Sequence, residues 1–337
     1  MRKKLMANDA VDEIIRVLSA SGKWLVLMHE KPDGDTAGCA VALASLGFRI
    51  GKDVTLGCPE QFPDKYDFML GGIRHEALDR VPAGFGGGGC VLISVDTSNL
   101  ERAVKGIEAA RERCTVINID HHADNTRYGH INWIEPTASA TGEMVTELMA
   151  YSEWGISPEE ANALYVAIVT DNGNFRFPSS SSRSHECAVI LMEAGASPGM
   201  VSEELETNLS VNAIKLWGRA FDKTRVFSDG LCAVFWLDRA DFYETGAAKH
   251  DSENLVNFLL RIKGVKLAAL CSDTEDGVRV NLRSRFPMNA QKVAAVFGGG
   301  GHALASGCTI HERIEIALSL LMAEMERHAS TCVHGSK

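Results

Sequence analysis

Two rhythms of hydrophobic and polar positions run along this chain. Over residues 9–20, Val11, Ile14, Ile15 and Leu18 recur at helical spacing, which predicts an amphipathic helix. The pattern then changes to a short continuous apolar run, WLVLMH at 24–29, which predicts a strand buried on both faces. A polar loop, EKPDGD, separates it from TAGCAVALASLG, which reads as a helix ending at Gly47. Further apolar runs at 91–96, 115–120 and 165–171 predict three more strands. Strands alternating with helices specify an α/β fold whose parallel sheet carries helices on both faces.

The second half has a different texture. Residues 231–237 and 265–270 predict strands, and RVNLRSR at 279–285 alternates as a half-exposed strand should. Between the halves, residues 198–225 keep helical spacing without a Gly/Pro-rich linker, which predicts a stiff connector. Leu205, Leu209, Leu216 and Trp217 on it suit a core or a dimer interface equally. The expected division is therefore 1–195, a helical connector at 196–225, and a smaller α/β domain at 226–330, with a cleft between the two domains.

Composition narrows the class. The chain has 337 residues, 45% hydrophobic and 23% charged, values typical of a globular protein in water. The start, MRKKLMANDAVDEIIRVL, lacks the apolar core of a signal peptide, and no window has the apolar length of a membrane span. The nine cysteines are odd in number and never spaced as CxxC, which argues against a disulfide framework or a thiolate zinc site and for a reducing cytoplasm. Net charge is −10, which disfavours a partner as long and polyanionic as duplex nucleic acid.

In a parallel α/β sheet, ligands bind beyond the carboxyl ends of the strands. The residues there form a chemically coherent set. Run 24–29 ends in His29, followed by Asp33 and Asp35; run 91–96 ends in Asp96; run 115–120 ends in Asp120, His121 and His122; run 165–171 ends in Asp171. Each aspartate alone suits a solvated loop or a helix cap. Five carboxylates in one crevice repel one another unless cations are present. Imidazole mixed with carboxylate suits Mn²⁺ or a similar ion better than Ca²⁺, which prefers oxygen ligands alone.

His29-Glu30-Lys31-Pro32-Asp33-Gly34-Asp35, Val95-Asp96, Asp120-His121-His122 and Thr170-Asp171 resemble, in order, the four motifs of the DHH phosphoesterases. NLRSR at 281–285 and FGGGGHALASG at 297–307 resemble the DHH-associated C-terminal domain of the nuclease-like branch. The pattern TDNGNFRF at 170–177 is similar to that of the bacterial and archaeal oligoribonucleases that also hydrolyse 3′-phosphoadenosine 5′-phosphate (pAp). Asn172 and Asn174 stand where Thr and Ser are expected; Cys39 sits in the small-residue stretch behind the first motif, and Asn289 stands where an aspartate is usual.

The resemblance implies roles residue by residue. His29 and Asp33 hold one divalent metal; Asp35, His121 and Asp171 hold the other; Asp96 bridges them. Asp120 orients an imidazole and His122 faces the substrate phosphate. Arg283, His302 and the backbone of Gly299, Gly300 and Gly301 clamp a terminal phosphate, with Arg285 and Arg176 as further contacts and Phe175 suited to base stacking or core packing. The glycine run Gly86–Gly89 lacks a following His and reads as a loop. The implied cofactors are two Mn²⁺ ions, with Mg²⁺ or Co²⁺ as substitutes. The implied activity is hydrolysis of oligonucleotides of about two to five residues and of pAp, by a homodimer with no membrane partner. Turnover of cyclic or linear dinucleotides is an alternative from the same motifs, as is pyrophosphate hydrolysis. A non-catalytic nucleotide-binding regulator is the alternative of another class, and a missing metal ligand would mark it; none is missing.

Overall fold

The computed structural model describes residues 9–334, except Asn208 and Glu253. The chain divides into two compact units, one running to residue 208 and one beginning at Leu209. The break falls inside the predicted connector, which is two helices rather than one stiff rod.

The first unit opens with α1 (Asp9–Ala20), whose Val11, Ile14 and Leu18 are buried as the helical spacing predicts. Next come β1 (Lys23–Leu27), α2 (Gly34–Arg49), β2 (Asp53–Cys58), β3 (His75–Ala77), β4 (Cys90–Val95), α3 (Ile107–Arg111), β5 (Thr115–Asp120) and β6 (Ile131–Ile134). Helices α4 (Thr141–Tyr151), α5 (Pro158–Asp171), α6 (Ser182–Glu193) and α7 (Pro198–Glu206) complete the unit. All six strands pair in parallel, in the order β3-β2-β1-β4-β5-β6. The order reverses direction between β1 and β4, which opens a crevice at their carboxyl ends. Helices α1, α2, α4 and α5 join the core on one face of the sheet; α3 and loop residues such as Val81, Phe85 and Val104 cover the other.

The sequence expectation fails at residues 165–171. They form the second half of α5, not a strand. Ser157 accepts the Glu160 N–H while Glu160 reaches back to the Ser157 N–H, a capping box with Pro158 in the first turn. The helix is buried nearly all round, from Ala161 to Val169, so its sequence shows no polar stripe and imitates a buried strand. Strands β2, β3 and β6 were not anticipated.

Helices α2 and α5 touch backbone to backbone. A Cβ added at Gly38 would lie 2.3 Å from the Ala163 carbonyl oxygen, and one at Gly34 would lie 2.3 Å from the Thr170 hydroxyl. Gly38→Ala is therefore expected to destabilise the unit by roughly 3 kcal/mol, the upper range for overpacking, measured by chemical denaturation. A change within about 0.5 kcal/mol would show that the helices separate freely.

The second unit contains α8 (Val211–Asp222), β7 (Arg225–Phe227), β8 (Cys232–Leu237), α9 (Arg239–Thr245), β9 (Leu267–Thr274), β10 (Gly277–Ser284), α10 (Ala290–Val296), β11 (Gly300–Gly301), β12 (Ala305–Ile310) and α11 (Ile314–His334). Its sheet runs β11-β12-β10-β9-β8-β7, antiparallel except for the β8–β9 pair. One face packs on α10 and α11, the other on α8 and the turn of 3₁₀ helix at Leu255–Arg261.

Candidate metal centre

The crevice at the ends of β1, β4 and β5 gathers the strand-end residues. Asp33 caps α2, its Oδ1 accepting the N–H groups of Asp35 and Thr36, each at 3.1 Å. His29 is buried, and its Nδ1 donates to the Glu30 carbonyl at 2.6 Å. Its Nε2 has no hydrogen-bond partner, yet lies 3.5 Å from Asp96 Oδ2 and 3.8 Å from Asp33 Oδ1. A buried nitrogen so placed between two carboxylates needs a proton or a cation.

Asp96 follows β4 with φ of 52°, a left-handed backbone that turns its carboxyl into the crevice. Its Oδ2 faces His29, while Oδ1 lies 3.6 Å from His121 Nε2 and 3.2 Å from the Thr141 hydroxyl. His121 Nδ1 donates to the Ala138 carbonyl at 3.2 Å. That bond turns Nε2 toward Asp96, Asp35 Oδ2 at 3.9 Å and Asp171 Oδ2 at 3.5 Å. His29, Asp33 and Asp96 thus form one group with closely spaced ligand atoms, and Asp35, His121 and Asp171 a second. A third grouping joins Asp96, His121 and His122. There, His122 Nδ1 is engaged by Asp120 Oδ1 at 2.7 Å.

Asp171 enters from an unexpected direction. It is the last residue of α5, where the helix dipole disfavours negative charge. Burial, with Asp96 and Asp33 nearby, lifts its pKa to about 6 against the opposing pull of His121. Asp35 is fully buried and pushed well above the usual carboxylate range, by burial first and then by Asp96, Asp171 and Asp33. His29 moves to about 9: burial alone would lower it, and the pull of the nearby Asp33 and Asp96 carboxylates outweighs burial. Cations would offset the repulsion that raises Asp35 and Asp171. The donor set therefore fits divalent ions.

Behind the tripeptide, burial would raise the pKa of Asp120, but bonds from His122 and Asn125 hold it below the usual range. Its Oδ2 accepts from Asn125 Nδ2 at 2.5 Å. The Asp120 bond in turn raises His122, leaving Nε2 as the nitrogen that faces away from Asp120.

A prediction follows from the repulsion. Asp35 and Asp171 hold protons in the folded state that the unfolded chain has already released. Metal-free stability should thus fall as pH rises from about 4 through 6. The stabilising contribution of protonated His29 is lost later, as pH rises toward 9. Saturating Mn²⁺ is expected to raise Tm by roughly 5–10 °C at pH 7 and by less at pH 5, measured by scanning calorimetry. Equal gains at both pH values would contradict carboxylate repulsion as the cause.

The remaining residues singled out in the sequence are not among these ligand groups. Arg176 Nε donates to the Gly173 carbonyl at 2.7 Å, bracing a turn in which Gly173, Asn174 and Phe175 are all left-handed. Asn174 suits that backbone. Asn172 caps α5 and accepts the Phe175 N–H, but its buried Nδ2 lacks a partner. Phe175 stacks on His185 with centroids 4.7 Å apart and packs against the core. Cys39 is buried with Sγ 3.5 Å from Asp35 Oδ1, and Asn289 caps α10.

In the second unit, Arg283 on β10 pairs with Ala305 on β12, whose carbonyl accepts the His302 N–H. Arg283 and His302 therefore share one row across the sheet edge. Arg283 is half-buried, its Nη1 bonded to the Leu282 carbonyl, and burial lowers its pKa. His302 is exposed, as is Arg285 just past the end of β10. The glycines between them have a structural reason of their own. A Cβ at Gly299 would lie 2.2 Å from the Gly307 carbonyl oxygen, and Gly301 has φ of 130°.

Sequence reasoning missed residues 138–142, which touch His121, Asp35 and Asp96. Their trace in the sequence is slight: a run of small residues before a helical pattern.

Comparison with known proteins adds an independent line. The DHH family N-terminal domain matches residues 23–168, and the DHHA1 domain matches residues 231–327. The chain is 28% identical over 307 residues to the bifunctional oligoribonuclease and PAP phosphatase NrnA of Thermus thermophilus, covering 89% of this chain and 87% of that protein. Identity to the protein of the same name from Bacillus subtilis is 28% over 330 residues, covering 93% and 99%. A crystal structure of an exopolyphosphatase-related protein from Bacteroides fragilis shares the fold, with a TM-score of 0.87 at 24% identity over 98% of this chain and 99% of that one.

Proposed function

Because the chain belongs to the DHH phosphoesterases, with a DHH domain followed by a DHHA1 domain, we propose that it hydrolyses oligonucleotides of about two to five residues to mononucleotides, and pAp to AMP. The observation that carries this reading is the convergence of His29, Asp33, Asp35, Asp96, His121 and Asp171 on one crevice, with the His29 nitrogen lacking a partner. The names of the bacterial relatives support the substrate class.

In this reading His29 and Asp33 would hold one divalent ion, Asp35, His121 and Asp171 would hold a second, and Asp96, with one oxygen toward His29 and the other toward His121, would serve both. Mn²⁺ suits the mixed imidazole and carboxylate set, with Mg²⁺ or Co²⁺ as substitutes. Bound ions supply a water of lowered pKa and neutralise charge on the phosphoryl oxygens. The chain's own residues supply the rest. Ala138 and Glu30 fix the ring orientations of His121 and His29 through their Nδ1 atoms. Asp120 accepts from His122 Nδ1 and raises its pKa, which favours the imidazolium, whose Nε2–H can donate to a non-bridging phosphoryl oxygen. Arg283, half-buried with no carboxylate pairing with it among the described residues, is a desolvated cation suited to a terminal phosphate; His302, the glycine backbone, Arg285 and Arg176 are further contacts.

The net charge of −10 supports the exclusion of long duplexes. A cytoplasmic setting is supported by the buried, unbridged thiols of Cys39, Cys58, Cys187, Cys232 and Cys271, and no described helix is long and apolar enough to cross a membrane. A homodimer completes the reading on the family resemblance.

The test is hydrolysis of pAp, a dinucleotide, a 5-mer, a 24-mer and pyrophosphate by purified protein with Mn²⁺. Release of mononucleotides from the dinucleotide and 5-mer, and of phosphate from pAp, is expected. Turnover of pyrophosphate alone would replace the reading.

A further inference from the structure

One short segment touches three of the six residues in the proposed ligand set. The Ala138 carbonyl accepts His121 Nδ1 at 3.2 Å. The Thr141 and Gly142 N–H groups donate to the two oxygens of Asp35, at 2.6 and 2.8 Å. The Thr141 hydroxyl donates to Asp96 Oδ1 at 3.2 Å. The segment is itself tied down, because Ser139 donates through its hydroxyl and its N–H to the two oxygens of Glu143, at 2.5 and 3.2 Å. Ser139, Thr141 and Glu143 are all buried.

Thr141 is thus in contact with two ligand carboxylates at once, one through its backbone and one through its side chain. It is also the first residue of α4, so the positive end of that helix's dipole adjoins Asp35. The two oxygens of Asp96 have different neighbours: Oδ2 faces His29 and Oδ1 faces His121. A carboxylate that bridges two cations must keep its plane fixed, since rotation about its last bond withdraws one oxygen from its ion. Thr141 holds Oδ1, the oxygen on the side of His121.

We infer that Thr141 is a positioning residue, whose hydroxyl fixes the rotation of Asp96 and so completes the ion site formed by Asp35, His121 and Asp171. The inference rests on the two-metal reading. It assigns the hydroxyl a selective effect: losing it weakens the ion on the His121 side and spares the ion held by His29 and Asp33. General damage to packing would weaken both ions together and lower the melting temperature.

Thr141→Val removes the hydroxyl at nearly constant shape and leaves both backbone N–H donors in place. Calorimetric titration of Mn²⁺ into metal-free protein is expected to show two sites in the wild type. In Thr141→Val one site should be unchanged and the other at least tenfold weaker. Paramagnetic resonance at two equivalents should show the exchange-coupled Mn²⁺ pair of the wild type largely lost. Dinucleotide kcat should fall ten- to a hundredfold with KM within about threefold. Thr141→Ser keeps the hydroxyl and should restore both the second site and kcat, while Thr141→Ala, which cannot clash, should match the valine variant. Two wild-type-like Mn²⁺ affinities in folded Thr141→Val or Thr141→Ala would overturn the inference while leaving the two-metal reading intact. Failure of Thr141→Ser to rescue would overturn it too, by assigning the effect to the methyl group. Fewer than two Mn²⁺ in the wild type would overturn the two-metal reading itself, and this inference with it.

Discussion

Asp96→Asn is expected to lower turnover at least a thousandfold, about 4 kcal/mol of transition-state stabilisation, while the protein still folds. Both halves of that expectation come from geometry. The carboxyl sits between His29 Nε2 at 3.5 Å and His121 Nε2 at 3.6 Å, with one oxygen toward each. An amide presents one oxygen and one NH₂ group, so one ion would lose its bridging oxygen and face a donor. The charge that offsets two cations is lost as well. Folding should survive because asparagine tolerates the left-handed backbone at this position, φ 52°, better than most residues. Removing a carboxylate also relieves the repulsion that lifts Asp35 and Asp171. Steady-state assays on the dinucleotide and a thermal melt measure the two quantities. More than a tenth of wild-type turnover would remove Asp96 from the bridging role.

His302→Ala should separate anchoring from chemistry. It is expected to lower kcat/KM for pAp and the dinucleotide roughly a hundredfold, about 2.7 kcal/mol, because both substrates need an anchored terminal phosphate. Bis-p-nitrophenyl phosphate has no such group, so its hydrolysis should change less than about threefold. The exposed His302 side chain on the row of Arg283 can be removed without opening a core. The same anchoring predicts length dependence in the wild type. An acidic chain gives little long-range attraction for a polyanion, so rates should peak at two to five nucleotides and fall steeply for a 24-mer. Equal losses on all three substrates would move His302 from anchoring to catalysis or folding. Rapid degradation of the 24-mer would sink the short-substrate reading.

How much of this was legible in the sequence depended on which forces wrote the pattern. Runs 24–29, 91–96 and 115–120 are strands because burial on both faces leaves an unbroken apolar stretch, and their terminal polar residues mark the sheet edge. The identical appearance of 165–171 is misleading. A helix enclosed by α2 and α4 loses its polar face and cannot be told from a strand by periodicity. Asp171 nonetheless reaches the crevice, because the end of α5 lies where a strand end was expected. Strands β2, β3 and β6 are short or broken by polar residues, and pair through backbone bonds that sequence does not record. The hold on His121, Asp35 and Asp96 is also mostly backbone. Only the Thr141 hydroxyl betrays it, and one threonine in a run of small residues carries no pattern.

The crevice draws on stretches of chain from residue 29 to residue 171, and that spread has a kinetic consequence. Among the six, only His29, Asp33 and Asp35 are neighbours along the chain, and they are divided between the groups, His29 and Asp33 in one and Asp35 in the other. The group of His29, Asp33 and Asp96 needs β1 and β4 paired, and the group of Asp35, His121 and Asp171 needs β5 and α5 in place as well, which requires most of the long-range pairings of the sheet. Small zinc modules use the ion as a nucleus, since their ligands are local and folding waits for metal. In the two-metal reading the order of events is inverted: the polypeptide completes most of a high-contact-order topology, against its own carboxylate repulsion, before both sites can fill. Metal then acts on the rate of escape from the native state rather than on the rate of reaching it.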